Sequence, residues 1–125
     1  MKMKNKNNGS LIAETMIALA LLGTIMVIMA LGLKTFGNFN QYLFAKQRCI
    51  SAAQAQLDSI SATGMPVSED VNKRLWPKVE IQIEESPGSG QWQGLKLVKV
   101  KAAEQSGRRH VHIETARYFV NGNQQ

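Results

Sequence analysis

An uninterrupted apolar segment, Leu11 to Leu33, constrains this chain more than any other feature of its sequence. Only one of its 23 side chains is ionisable, that of Glu14. As an α-helix rising about 1.5 Å per residue, the segment would be roughly 34 Å long, enough to cross a bilayer core of about 30 Å. We therefore expect one transmembrane helix at residues 10–33.

Basic residues at the N-terminal side of this segment predict its orientation. Lys2, Lys4 and Lys6 precede it with no acidic residue among the first nine, and Lys34 follows it. Because the cytoplasmic flanks of membrane spans are rich in Lys and Arg, we expect a cytoplasmic N-terminus. The prediction is a single-pass protein whose C-terminal domain lies outside the cytoplasm.

Two other interpretations of the segment are a cleaved secretory signal and a plain signal anchor. A secretory signal has an apolar region of about 7–15 residues and then a small-residue cleavage site. Here the run is longer, and no site of the A-x-A kind follows it. The plain anchor is the stronger alternative. Glu14 argues against it, because a carboxylate within a span costs about 2–3 kcal/mol or more and usually marks function.

Glu14 belongs to a larger pattern at the N-terminal side of the apolar segment. A basic leader of residues 1–9 ends at Gly9, Ser10 follows, and Glu14 lies five residues past the glycine in an unbroken apolar helix. This pattern resembles the class III signal of type IV prepilins and pseudopilins. In that family a prepilin peptidase cuts after the glycine on the cytoplasmic face and methylates the new amino terminus. The resemblance implies cleavage between Gly9 and Ser10, N-methylation of Ser10 and an assembly role for Glu14.

Electrostatics agrees with an assembly role for Glu14. It lies one helical turn from Ser10, and in the family this glutamate pairs with the amino terminus of a neighbouring subunit. A buried cation and a buried anion offset each other only when the subunits stack. The sequence departs from the family pattern at Ser10 and Leu11, where Phe or Met and then Thr are usual. It also lacks the mid-span proline of many pilins and has Gly23 and Gly32 instead.

Beyond the membrane segment we expect the same helix to continue as an amphipathic helix over residues 34–63. No proline precedes Pro66, and Gly64 just before Met65-Pro66 is a helix stop signal. Apolar residues recur at helical spacing and form one stripe that a sheet or another helix must cover. The stripe consists of Phe36, Phe39, Leu43, Ile50, Ala53, Leu57 and Ile60.

The rest of the chain predicts strands joined by turns. Residues 64–77 form a loop in which Ser68 begins a short helix. Val79, Ile81 and Ile83 alternate with polar residues, which is typical of a half-buried strand. Two further strands are expected, Leu95 to Ala102 with Val98 and Val100 facing inward, and His110 to Val120 with Val111, Ile113 and Phe119 on one face. Turns at residues 87–90 and 106–107 separate the three strands.

These elements define an α+β fold class. A long N-terminal helix, half transmembrane and half amphipathic, is expected to pack on a three-stranded antiparallel sheet at residues 78–125, the pilin-like roll. The pattern of strands in residues 94–100 and 113–119, with Gly107 between them, is similar to the ending of some minor members of the family. Those are the minor pilins lettered V and the I-type minor pseudopilin of type II secretion.

The resemblance implies a minor structural subunit of a type II secretion pseudopilus at the inner (cytoplasmic) membrane, with a periplasmic or extracellular domain. Its expected partners are the prepilin peptidase, other pilins or pseudopilins in a hetero-oligomeric fibre, the inner-membrane assembly platform and membrane lipid. A minor type IV pilin for adhesion, motility or DNA uptake is the alternative within the family. A single-span anchor holding a binding module is the alternative of another class.

Composition does not indicate a nucleic-acid-binding protein or an enzyme. Of the 15 basic residues behind the net charge of +6, three belong to the leader, and the remaining 12 are scattered against 9 acidic residues. We therefore expect no dedicated nucleic-acid surface. The sequence offers no nucleophile–base pair, phosphate-binding loop or paired carboxylates, so we predict no cofactor and no catalysis. The chain would be the substrate of an enzyme, the peptidase.

The histidines and the tail do not predict a metal site. His110, His112 and Glu114 share one face of the third strand, but it is the face expected to meet solvent, and no fourth ligand is evident. Some pseudopilins bind calcium near the C-terminus. The tail at residues 121–125 has no carboxylate side chain, so calcium is not predicted.

The cysteine and the tryptophans receive structural interpretations. Cys49 is the only cysteine, so an internal disulfide is impossible, and a buried or half-buried side chain is favoured over an intersubunit bridge or a reactive thiol. Trp76 and Trp92 flank the first strand, and we favour core positions over exposed contacts for both.

Overall fold

A computed structural model describes residues 7–120 of the protein. In chain order the helices and strands are α1 (Asn7–Thr63), α2 (Glu69–Leu75), β1 (Val79–Pro87), a 3-10 turn (Gly90–Trp92), β2 (Leu95–Ser106) and β3 (Arg109–Val120). The chain divides into two compact units, residues 1–39 and 40–125. The described part of the first unit is helical throughout.

The helix α1 ends where its sequence predicts. Gly64 has φ +74°, a conformation that residues with a Cβ rarely adopt, and its N–H donates to the Ile60 carbonyl oxygen at 2.9 Å. The Thr63 and Ser59 hydroxyls contact the Met65 carbonyl oxygen at 3.2 and 2.9 Å and hold the chain as it leaves the helix. The expected short helix follows as α2, with Glu69 and Asp70 in its first turn and bases in its last.

The three strands form an antiparallel meander in the order β1-β2-β3. Val79 lies opposite Glu104, which lies opposite Val111, and Ile83 lies opposite Val100. The inward positions of Val98, Val100 and Val111 are confirmed, since these side chains are buried. The predicted α+β fold class is therefore correct. The expected end of β2 is not, because the strand continues past Ala102 to Ser106.

The core of the second unit lies between the C-terminal part of α1 and one face of the sheet. On the helix it consists of Ala45, Cys49, Ala52, Ala53, Leu57 and Ile60, and on the sheet of Val79, Val98, Val100, Ala102 and Val111. Four of the six helical residues are Ala or Cys, so the helix and sheet backbones can approach closely. Tyr42, Trp76, Ile81, Ile83, Ile113 and Phe119 pack around this core and are partly buried.

The predicted apolar stripe of the helix is wrong in its first half. Phe36 and Phe39 are 63% and 51% exposed, Leu43 is exposed, and Ile50 is only half-buried. The face that the sheet covers begins instead at Ala45 and Cys49. The physical reason is size: in its first half the covered face consists of the small residues Ala45, Cys49 and Ala52, which let the sheet approach closely. Ala53, Leu57 and Ile60 belong to both faces and are buried as expected.

Candidate functional site

The three residues of the predicted signal lie together at the start of α1. Gly9 and Ser10 belong to its first turn, and Ser10 and Glu14, four residues apart, share one face of the helix. All three are exposed. A Cβ built on Gly9 meets no atom within 4 Å. A larger side chain at position 9 would therefore fit this chain without strain.

The helix surface that follows is apolar on every side and uncovered. Each large apolar side chain in residues 11–33 is between 51 and 72% exposed: Leu11, Ile12, Met16, Ile17, Leu19, Leu21, Leu22, Ile25, Met26, Val27, Ile28, Met29, Leu31 and Leu33. Water-exposed apolar patches beyond a few hundred Å² are rare on soluble monomers. The helix is long and apolar enough to span a membrane. Such a surface requires either lipid or other helices around it.

The threonines of this helix satisfy their own hydroxyl groups. Thr15 donates to the Leu11 carbonyl oxygen at 2.7 Å, and Thr24 donates to the Ala20 carbonyl oxygen at 2.8 Å. Thr35 does the same one turn back, at 3.0 Å. Hydroxyls bonded in this way need no water, so these residues are compatible with an apolar environment.

Glu14 has no comparable internal partner. Within residues 7–120 its carboxylate forms no hydrogen bond and no ion pair, and it is the one ionisable group of the apolar run. In an apolar environment such a group needs a cation or donors from outside the helix. The side chain of Glu14 can therefore act as an acceptor for a positive charge near the level of Ser10.

In the second unit, an ion pair between Arg48, whose side chain is 45% exposed, and buried Glu104 holds α1 to the sheet. The side chain of Glu104 on β2 is 1% exposed, and Arg48 donates to both of its oxygens, with Nε 2.9 Å from Oε2 and Nη2 in contact with Oε1. The hydrogen bond with Glu104 raises the pKa of Arg48 further above its usual value. No local sequence signal indicates this pair, because the two residues are 56 positions apart and the predicted second strand ends at Ala102, before Glu104.

Three further polar contacts fix the segments next to this core. Buried Gln56 accepts a hydrogen bond from the Val67 N–H at 2.9 Å and is 3.5 Å from the Asn72 side-chain oxygen, so it holds the loop and α2 against α1. Arg117 on β3 contacts Asp58 of α1 at 3.1 Å, with both side chains largely exposed.

The outer face of the sheet carries a ladder of cross-strand ion pairs. Lys101 contacts Glu84 at 2.6 Å, and Lys99 contacts Glu114 at 3.0 Å. Glu84 raises the pKa of Lys101, and Lys99 lowers the pKa of Glu114, in each case mainly through the side-chain hydrogen bond. His110, His112 and Glu114 are exposed on this face as expected. In the described part of the chain no three His, Cys, Asp or Glu side chains are grouped to hold a metal.

The tryptophans differ from each other, and the cysteine is as expected. Trp76 is half-buried against the core, as predicted, whereas Trp92 is 44% exposed and stacks on Tyr118 with ring centroids 5.0 Å apart. The core interpretation of Trp92 is therefore wrong. Cys49 is fully buried, and burial raises the pKa of its thiol. The tail at residues 121–125, where calcium was not expected, lies outside the described residues.

We compared the chain with family models, with curated proteins and with solved structures, and none of them matches it.

Proposed function

We propose that this chain is a pilin-like structural subunit, most specifically a minor pseudopilin of a type II secretion pseudopilus. The observation that carries the proposal is the N-terminal helix, whose apolar surface is uncovered and whose one carboxylate lies one turn past Ser10. When identical or related helices stack beside it, they cover the apolar side chains and can bring an amino terminus to the Glu14 carboxylate. The role is structural: the subunit catalyses no reaction and is itself the substrate of the prepilin peptidase.

In this proposal the prepilin peptidase cuts between Gly9 and Ser10 and methylates Ser10. Gly9 lies in the first turn of α1, whose amide N–H groups have no partners within the helix. Unwinding that turn to present an extended backbone therefore costs few hydrogen bonds. The new amino terminus of one subunit then pairs with Glu14 of its neighbour, which offsets the two charges in the apolar interior of a fibre.

The proposed setting is the inner membrane, with the N-terminus cytoplasmic and the sheet domain periplasmic or extracellular. The partners would be the peptidase, other pilins or pseudopilins, the assembly platform and lipid. A minor type IV pilin for adhesion, motility or DNA uptake uses the same helix. The looser likeness of residues 94–100 and 113–119 is to the minor pilins lettered V as well as to the I-type minor pseudopilin, so it supports a minor subunit of either machine.

The first test is the mature N-terminus, measured by mass spectrometry on protein from cells with and without the peptidase. We expect a chain that begins at methylated Ser10 in the first cells and an uncut chain in the second. Gly9→Leu should leave the precursor uncut although the open space at Gly9 means that folding is unaffected. Gly37→Leu, at an equally open helical glycine, is the matched control and should be processed normally. A chain that stays uncut in peptidase-containing cells, or is cut near Leu33, contradicts the proposal.

The second test separates a fibre subunit from a plain anchor through Glu14. For an anchor, Glu14→Leu removes a charge that costs about 2.5–3.5 kcal/mol within a span, so insertion and function should be equal or better. For a fibre subunit, Glu14→Leu should leave processing and insertion intact but abolish crosslinking between subunits. Glu14→Gln keeps the size without the charge and should be nearly as damaging. Equal crosslinking yields for wild type and Glu14→Leu would leave only the anchored module.

A further inference from the structure

One end of the sheet carries a cleft with basic residues around it. The cleft has a volume of about 350 Å³ and lies where β1 begins and the β2–β3 turn closes. Its lining consists of Gln41, Phe44 and Arg48 from α1, together with Lys78, Glu104, Gln105, Ser106 and Gly107. Arg108 in the turn and Arg109 at the start of β3 follow Gly107 directly and are exposed. We call Arg48, Lys78, Arg108 and Arg109 the basic end of the sheet.

The charge at this end is not compensated as it is elsewhere on the sheet. Lys96, Lys99 and Lys101 each contact a glutamate of a neighbouring strand, and Arg117 contacts Asp58. Within residues 7–120, Lys78, Arg108 and Arg109 form no ion pair with a carboxylate. Glu104 is buried, and both of its oxygens bind Arg48. Glu80 lies two residues after Lys78 on the outer face of β1, opposite Ala103, and forms no ion pair with the basic residues at this end. A net positive charge therefore remains at the basic end.

The cleft also has an apolar rim. Phe44 is 59% exposed beside Arg48, so cations and an aromatic ring lie at the same opening. This combination suits a surface that presents anionic phosphate groups next to apolar chains, because the cations meet the phosphates and the ring meets the apolar region. A soluble polyanion would match only the charges.

Chain length keeps this end within reach of the bilayer. Gln41 at the cleft is the eighth residue after Leu33, the last residue of the apolar run. Eight residues extend to at most about 29 Å, whatever their conformation. The electrostatic attraction of an anionic leaflet falls off over about 8–10 Å at physiological salt. The basic end is therefore attracted to the headgroups only when the sheet domain lies close to the membrane surface, and the short connection permits that position.

We propose that the basic end of the sheet binds the anionic phospholipid headgroups of the membrane that the apolar helix enters. This proposal rests on the membrane-spanning part of the function proposed above and not on fibre assembly. Before assembly, headgroup binding would keep the sheet domain at the membrane surface.

The test is amide hydrogen exchange of the full-length protein in nanodiscs. One set of discs contains phosphatidylcholine alone, and the other contains about one third phosphatidylglycerol. We expect exchange at residues 78–80 and 105–110 to be about fivefold slower in the anionic discs, and 0.5 M salt to remove the difference. The triple variant Lys78→Gln, Arg108→Gln, Arg109→Gln should exchange equally fast in both discs.

The matched control is Lys96→Gln, Lys99→Gln, Lys101→Gln, which removes the same charge from residues that are already paired. It should retain the slowing, since exposed ion pairs contribute little to stability. Equal exchange of the wild type in both discs would overturn the proposal, as would loss of the slowing in both triple variants. Slowing by a soluble DNA oligonucleotide in neutral discs, without slowing by anionic lipid, would assign the surface to nucleic acid instead. If the chain does not enter the discs, both the headgroup contact and the membrane-spanning premise are wrong. If it enters the discs and its exchange is not slowed by anionic lipid, only the headgroup contact is wrong.

Discussion

Replacing Arg48 by Met should destabilise the sheet domain strongly, because it leaves the Glu104 carboxylate without its donors. The Glu104 side chain is 1% exposed and accepts two hydrogen bonds from Arg48. Breaking a fully buried ion pair from one side costs about 3–5 kcal/mol. Here the cleft beside Glu104 allows water to approach once the arginine is gone, so we expect about 2–3 kcal/mol. A domain of this size has only about 4–12 kcal/mol of stability in total.

The double variant distinguishes this reasoning from simple loss of packing. Arg48→Met with Glu104→Met removes both charges and keeps apolar volume, so most of the lost stability should return. The coupling energy in the double-mutant cycle should be about 2 kcal/mol. Arg117→Met is the matched control. Its pair with Asp58 is 47% and 70% exposed, so its loss should cost less than about 1 kcal/mol.

The assay is urea unfolding of the full-length protein in detergent micelles, followed by tryptophan fluorescence and near-ultraviolet circular dichroism. Half-buried Trp76 reports on the core, while the span stays helical in the micelle. The reasoning is wrong if Arg48→Met costs less than about 0.5 kcal/mol. It is equally wrong if the double variant is no more stable than the single one.

Two further predictions concern Cys49 and Gly88. The Cys49 thiol should resist maleimide at pH 8 in the folded protein and react fully in urea, because it is fully buried; rapid labelling without urea would contradict the structure. Burial raises the pKa of this thiol, so the thiol of the unfolded chain ionises at lower pH than that of the folded protein. The free energy of unfolding should therefore fall as pH rises above about 8.5. Urea midpoints measured at about pH 8 and about pH 10 should show a smaller fall in Cys49→Ala than in the wild type. Gly88→Ala would place a Cβ against the Trp92 carbonyl oxygen and 2.8 Å from that of Leu95, so we expect a loss of about 1–3 kcal/mol in urea unfolding. Gly37→Ala, at an open site, should leave the urea midpoint of the sheet domain unchanged.

Local patterns in the sequence predicted the elements of the fold well. The β1 alternation, the Gly64 stop and the inward pair Val98 and Val100 are all present in the structure. Each of these signals depends on neighbours within a few residues. The sequence is sufficient where local geometry decides the outcome.

The errors arose where a distant partner decides the outcome. Alternation in β2 predicts a strand end at Ala102, because the next inward position is Glu104, a charge that no core accepts alone. Arg48 supplies its partner from α1, and the strand continues to Ser106. In the same way, nothing near Trp92 indicates that Tyr118 offers it a stacking surface outside the core.

The helical stripe was misplaced for a related reason. Periodicity alone identifies every face that carries apolar residues, and α1 has more than one between Phe36 and Ile60. The choice of the Ala45 and Cys49 face depends on how closely a sheet backbone can approach, which is a property of the partner. The place of a bulky residue outside that face, such as Phe44 at the cleft, depends on the same choice.

The two parts of α1 differ in what can cover their apolar side chains. In the N-terminal part, Glu14 decides between lipid and neighbouring helices. From Ala45 to Ile60 one apolar face is covered by one sheet, so the domain accounts for its own burial. From Leu11 to Leu33 the helix is apolar all round, and a single sheet could cover only one side of it. Lipid satisfies every apolar side chain there, and the threonine hydroxyls are already bonded within the helix. Lipid does not satisfy a carboxylate. A neighbouring helix that brings an amino terminus to the level of Glu14 satisfies both, which is why a change at this one residue distinguishes a fibre subunit from an anchor.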